Sequence, residues 1–121
     1  MPLSSEMMGA GFSAGQARGI NGRVNSTFSC AGSTVADAQA IVTTTTVITT
    51  CASGAGGILP AVPPGDSVWI YNATTTPATI YPDTGASINQ LSANVGMLLA
   101  PYTDVWLRRT STTQWLGHLS A

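Results

Sequence analysis

From residue 27 onward the chain is built of short runs of Val, Ile, Thr, Trp and Tyr, separated by clusters of Gly, Pro, Asn and Asp. That texture predicts strands joined by turns. Residues 40–50, AIVTTTTVITT, are almost wholly β-branched, and stiff branched side chains suit a pleated surface better than a helix. One long strand is predicted there, or two that meet at a bend. In residues 67–72, SVWIYN, a period of two sets Val68 and Ile70 on one side and Trp69 and Tyr71 on the other. Residues 95–101, VGMLLAP, set Met97 and Leu99 against Leu98. Residues 104–110, DVWLRRT, set Val105, Leu107 and Arg109 against Trp106 and Arg108, and TQWLGHLS supplies the last strand.

The breaks between these runs have their own chemistry. Ile58-Leu59 reads as a short strand that leads into a proline loop through Pro60, Pro63 and Pro64, with a turn at Gly65-Asp66. In TIYPDTGASIN, Pro82 ends a strand because it has no amide hydrogen for a ladder. Asp83-Thr84-Gly85 then turns the chain, with Gly85 free to take a positive φ, and Ala86 to Ile88 resume an extended path.

Residues 1–26 differ. Gly9, Gly11, Gly15, Gly19 and Gly22 interrupt any sustained period, so an irregular arm is expected, with a helical turn around Glu6 to Met8. Met7, Met8 and Phe12 are the candidate anchors of this arm, either on a partner or folded back on its own domain. The expected organisation is an arm over residues 1–26 and a β domain over residues 27–121. Strand spacing of about 8 to 12 residues predicts an all-β fold, a small antiparallel β-sandwich or barrel of jelly-roll type. No internal repeat is strong enough to predict a solenoid.

Composition sharpens this. Charged residues are only 7% of the chain, against about 25% in a typical soluble domain, and the formal net charge is −1. Thr, Ser, Asn, Gln and Gly must therefore cover the water-facing positions, and little electrostatic repulsion opposes association. A subunit that functions in an assembly fits this surface; an extracellular Thr/Ser-rich domain would share the composition. Four arginines, Arg18, Arg23, Arg108 and Arg109, are too few and too scattered to neutralise a phosphate track, so nucleic acid is not an expected partner. The absence of lysine beside them suits bidentate pairing in interfaces. The N-terminus has no basic stretch followed by an apolar one, and no apolar run approaches the roughly 18 residues of a membrane span. Neither ordinary export nor membrane insertion is expected, and in a reducing compartment Cys30 and Cys51 are expected as two buried thiols, with a disulfide the alternative.

Candidate chemistry is sparse. Gly11-Phe12-Ser13-Ala14-Gly15 matches the G-x-S-x-G nucleophile pattern, and His118 follows an aspartate in hydrolase order. That motif requires a strand before the serine and a helix after it, whereas Ser13 lies in the glycine-rich arm. Cys30, Cys51 and His118 lack the paired spacing of a zinc site, and no P-loop or dinucleotide fingerprint occurs. Asn25-Ser26-Thr27 and Asn72-Ala73-Thr74 match the glycosylation sequon, which without a secretory route is read as coincidence. No catalytic residue, cofactor or metal is assigned. Trp69, Tyr71, Trp106 and Trp115 are either core or interface, the core being favoured for large rings in a small β domain.

One pattern goes further. Leu59-Pro60, Gly65-Asp66, the strand Val68 to Asn72, Tyr81-Pro82 with Gly85, Ile88-Asn89, Ala93-Asn94 and the late Trp115 together resemble small structural proteins of tailed bacteriophages. The likeness covers about half the chain, residues 57–121, and departs where many relatives follow the asparagine with glycine, since Gln90 follows Asn89 here. The resemblance implies a β-rich capsid decoration or cement protein, commonly trimeric, assembled in the host cytoplasm and carried on the outside of the virion. Its partners would be the major capsid protein and its own copies. On that view Met7, Met8 and Phe12 fill apolar niches on the shell, Arg18 and Arg23 pair with its carboxylates, and Trp69, Tyr71 and Arg108 are further candidate contacts. A tail or fibre module is the alternative from the same class; a secreted carbohydrate-binding or hydrolytic β-sandwich, with exposed aromatic platforms near a carboxylate pair, is the alternative from another.

Overall fold

The computed structural model describes residues 24–119, which contain ten strands and no helix. In chain order they are β1 (Val24–Ser29), β2 (Gln39–Ala40), β3 (Thr45–Thr50), β4 (Gly56–Ile58), β5 (Ser67–Asn72), β6 (Ala78–Tyr81), β7 (Ser87–Ile88), β8 (Met97–Leu99), β9 (Asp104–Ser111) and β10 (Gln114–Leu119). The β-branched stretch resolves as two strands that meet at a bend: β2 ends at Ala40, residues 41–44 turn, and β3 begins at Thr45. The expected strand at 58–59 lies slightly earlier, with Leu59 buried just beyond it. β1 begins at Val24, so the last three residues assigned to the arm belong to a sheet.

Two sheets share the core. A six-stranded sheet has the order β1-β3-β5-β9-β10-β7, and a four-stranded sheet has the order β2-β4-β6-β8. From β1 to β6 the chain visits the two sheets alternately, so β1, β3 and β5 stack in parallel, as do β2, β4 and β6. This is a solenoid-like coil of three turns. β9 then pairs antiparallel with β5, β10 with β9, and β8 with β6, while β7 joins β10 in parallel.

All-β is therefore correct, but the antiparallel expectation is not, since five of the eight pairings are parallel. The reason is geometric: a chain that crosses to the other sheet and back re-enters the first one running in its original direction. The coil also carries no sequence repeat, because its turns are filled by unlike residues: Phe28, Ile48 and Asn72 occupy one inward row of β1, β3 and β5.

Strand parity survives this change of topology. Val68, Ile70, Val105, Leu107 and Trp115 point inward from the large sheet, and Ala78, Ile80, Met97 and Leu99 from the small one, while Leu98 between the last two is 67% exposed. Fully burying each Val, Leu, Ile or Met contributes about 1.5–3 kcal/mol. Gly57 lets the sheets approach: a Cβ there would lie 3.0 Å from the Phe28 ring and 3.1 Å from Ile41 Cδ1.

The turn after Pro82 forms as expected. β6 stops at Tyr81, the Ala86 amide donates to the Asp83 carbonyl at 2.9 Å, and Gly85 adopts φ 89°. Asn89, at the departure from the phage pattern, itself takes the left-handed φ of 53°, which asparagine tolerates, and its Oδ1 accepts the Gly117 amide at 2.8 Å. Gln90 needs no glycine-like freedom because Asn89 supplies it.

Candidate functional site

The outer face of the six-stranded sheet is where unpaired aromatic surface collects. Antiparallel register sets Trp69 of β5 opposite Trp106 of β9, and Trp106 opposite His118 of β10; on the other side of Trp69 lies Thr45 of β3. A neighbouring row runs from Ser67 to Arg108 to Leu116, and another from Val47 to Tyr71 to Asp104. The outward parity of β5 and β9 thus brings Trp69, Tyr71, Trp106 and Arg108 onto one surface.

Its geometry is organised. The Trp69 and Tyr71 rings lie 6.2 Å apart with planes only 14° from parallel, a flat two-ring platform. Trp69 Nε1 donates to Asp104 Oδ2 at 2.5 Å, which fixes the indole while satisfying its polar edge. Trp106 is 55% exposed and Arg108 projects to solvent. Leu116, also exposed, links this face to an apolar groove of about 590 Å³ lined by Leu91, Met97, Leu98 and Leu119.

Behind the face stands a buried ion pair. Arg109, 4% exposed, donates from Nη1 to Asp83 Oδ1 at 2.5 Å, and Trp115 Nε1 donates to the same oxygen at 2.9 Å. Arg109 Nε donates to the Ser111 carbonyl at 2.7 Å and Nη2 to that of Thr112, while its guanidinium lies 5.0 Å from the centre of the Trp115 ring. The guanidinium thereby ties the β9–β10 hairpin to the turn after Pro82.

Against the sequence expectations, only Trp115 of the four large rings belongs to the core; Trp69 and Tyr71 are half-buried on the outside, and Trp106 is the most open of them. The core reading fails for these three because strand parity, not ring size, decides which side a residue faces. Trp106 and Asp104 were absent from the candidate contacts, although alternation in DVWLRRT carried the signal. Met7, Met8, Phe12, Arg18 and Arg23 lie outside the described residues, as does Ser13. His118 is exposed on the outer face opposite Trp106.

The acids have separate tasks. Asp37 Oδ1 accepts from Thr34 Oγ1 at 2.7 Å and from the Thr34 and Ser33 amides at 2.8 and 3.1 Å; the Thr34 hydroxyl first, then its amide, hold the Asp37 carboxyl below its usual range. Asp83 and Asp104 serve Arg109, Trp115 and Trp69. Among the described residues no three His, Cys, Asp or Glu side chains come together as a metal site would require. Cys30 and Cys51 are both free thiols, but only Cys51 is buried; Cys30 is half-buried at the margin of the core, because β1 is an edge strand. Compared with protein-family models, with curated proteins and with solved structures, the chain matches none.

Proposed function

We propose that this protein is a structural component of a tailed-bacteriophage particle, a decoration protein that binds the outer surface of the head as a trimer and stabilises the shell. The observation that carries the reading is the outer face itself: Trp106, Trp69 and Tyr71, extended through Leu116 into an apolar groove, in a chain with only 7% charged residues. Aromatic residues and arginine are enriched in the buried centres of interfaces, and low charge suits a surface that spends its life covered. The phage-like pattern over residues 57–121 supports the choice of assembly.

The mechanism is mass action. A ligand that binds the assembled lattice but not dissociated subunits shifts the equilibrium toward the lattice. Many copies per shell let each contribute only a few kcal/mol. In this arrangement Trp69, Tyr71, Trp106 and Arg108 form copy-to-copy or shell contacts, and residues 1–26, with Met7, Met8, Phe12, Arg18 and Arg23, reach the major capsid protein. Light scattering of the purified chain and co-sedimentation with phage heads test it. A trimer that pellets with heads is expected; a monomer that stays in the supernatant overturns the proposal.

The flat Trp69–Tyr71 platform beside Asp104 favours a second reading, a carbohydrate-binding module, since pyranose rings stack on such surfaces. It differs from the sugar-binding expectation in offering one carboxylate on the platform where a pair was anticipated. Quenching of tryptophan fluorescence by a glycan, lost in Trp69→Ala, would move the assignment to that class.

A further inference from the structure

Two thiols face each other across the first two turns of the coil. β1 and β3 run parallel with Ser29 opposite Thr50, and the next residues along are Cys30 and Cys51. The Cys30 amide donates to the Thr50 carbonyl at 2.9 Å, which keeps the two backbones at ladder spacing as far as the cysteines. Adjacent strands lie about 4.8 Å apart, inside the window of about 4.4–6.8 Å between Cα atoms that a disulfide spans. Both cysteines are free thiols, and Cys30 packs against the core cluster that contains Cys51. Cys51 Sγ is otherwise held only by weak contacts to the carbonyls of Ala52 and Ala55, each at 3.6 Å, and of Pro77 at 3.9 Å. The backbone register therefore brings the two thiols within reach of a disulfide.

We infer that Cys30 and Cys51 are a modification site, joined as an intramolecular disulfide when the protein passes from a reducing medium to one containing a disulfide oxidant. Cys30 is half-buried and Cys51 buried, which assigns the order of events. The Cys30 thiolate attacks one sulfur of oxidised glutathione, forming a mixed disulfide and releasing one glutathione thiolate. The Cys51 thiolate then attacks Cys30 Sγ, closing the protein disulfide and releasing the second glutathione. Two protein thiols lose two electrons and two protons, and one glutathione disulfide becomes two glutathione thiols. Burial, assisted by the neighbouring Cys51, pushes the Cys30 thiol far above its ordinary 9.0. Thiolate is therefore scarce at neutral pH and the closure is slow, a maturation step and not a rapid sensor.

The structural consequence falls on β1. Its place at the edge of the large sheet gives it a single neighbour, β3, among the described residues. A Cys30–Cys51 bond closes a loop of about 20 residues and prevents β1 from peeling away from the second turn, which is the effect expected of a cross-link on an edge element. The inference stands on the thiol geometry alone and does not depend on the phage assignment.

The test uses the full chain, folded and initially reduced, incubated with oxidised glutathione at mildly alkaline pH. Free thiols should fall from two to none without glutathione adducts. The intact mass should drop by two hydrogens, and digestion without reductant should yield a Cys30–Cys51 linked peptide. The melting temperature should rise by on the order of 10 °C over the reduced chain. Reductant should reverse all of these, and Cys30→Ser should show none of them. Persistence of two thiols in the native chain, a stable single glutathione adduct, or cross-linked dimers in place of the internal bond would each overturn the inference. The comparison of oxidised with reduced wild-type chain decides it even if the serine variant misfolds.

Discussion

Replacement of Asp83 by alanine is the sharpest perturbation that this fold offers. The carboxylate does two things at once: it neutralises Arg109, whose side chain is 5% exposed, and it accepts the indole hydrogen of the fully buried Trp115. Asp83→Ala leaves Arg109 charged with carbonyl oxygens of Ser111 and Thr112 as its remaining partners, and it orphans Trp115 Nε1. Breaking a buried pair from one side costs about 3–5 kcal/mol, of which an unsatisfied indole accounts for about 1–3. Against a total stability of about 5–15 kcal/mol the variant should be close to the edge of folding. Urea unfolding followed by tryptophan fluorescence would show it as a midpoint lower by about 1.5–2.5 M, taking a slope near 2 kcal/mol per M. Asp83→Asn should lose less, because its amide oxygen can still accept from Trp115. The double variant Asp83→Ala with Arg109→Met should recover the part of the loss due to the stranded charge but not the part due to Trp115 Nε1, which stays without its acceptor. A midpoint for Asp83→Ala within about 0.5 M of the parent would refute the argument, by showing that water screens the pair well enough to make it dispensable.

Asn72 is fully buried, donates to the carbonyls of Thr76 and Leu99, and accepts from the amide and hydroxyl of Thr74; Asn72→Ala should therefore cost about 2–4 kcal/mol in urea unfolding, and the folded chain should not be glycosylated at this sequon in a microsomal assay. Trp106→Ala, on the outer face, should leave unfolding within about 0.5 kcal/mol of the parent and, under the proposed decoration role, weaken head binding by on the order of 30-fold in co-sedimentation, the signature of a lost interface anchor of about 2 kcal/mol. The raised folded-state pKa of Cys30 means that its stabilising contribution is complete below the ordinary 9.0 and is lost as the pH rises above it, because the unfolded chain ionises there first. Unfolding midpoints of the reduced protein should fall between pH 8 and pH 10.5, and Cys30→Ser should flatten that limb; a decline unchanged in the serine variant would assign it elsewhere.

The parts of the fold that follow from strand parity were legible in the sequence. Val68 and Ile70 inward with Trp69 outward, Met97 and Leu99 inward with Leu98 outward, and the end of β6 before Pro82 all required only a period of two and the missing proline hydrogen. Direction was not legible. Alternation along 45–50 and 67–72 looks the same whether the two strands run parallel or antiparallel, and only the excursion through β4 in the other sheet, between residues 51 and 66, sets β3 parallel to β5. The Arg109–Asp83 pair was half visible: Arg109 shares the inward parity of Val105 and Leu107, which flags a buried charge in search of a partner. Its partner lies 26 positions earlier in a segment that reads as an ordinary turn, and no local rule connects the two. The outer-face site was likewise half legible: Trp69, Tyr71 and Arg108 are among the expected contacts, whereas the size of the Trp106 ring points to the core and only its parity points outward.

The antiparallel strands β8 and β9 also act as a stop. A stack of parallel turns is open to indefinite extension, since each new turn offers the next one an identical ladder edge. Here the third turn, β5 with β6, meets β9 in one sheet and β8 in the other, both running the opposite way. No fourth turn can be added there. The opposite end, at β1 and β2, has no such closure among the described residues. Among the described residues the coil is thus polar along its axis, capped at one end and uncapped at the other. Splicing a duplicate of residues 45–66 before β5 should lengthen the body by one strand spacing and leave the capped end unchanged.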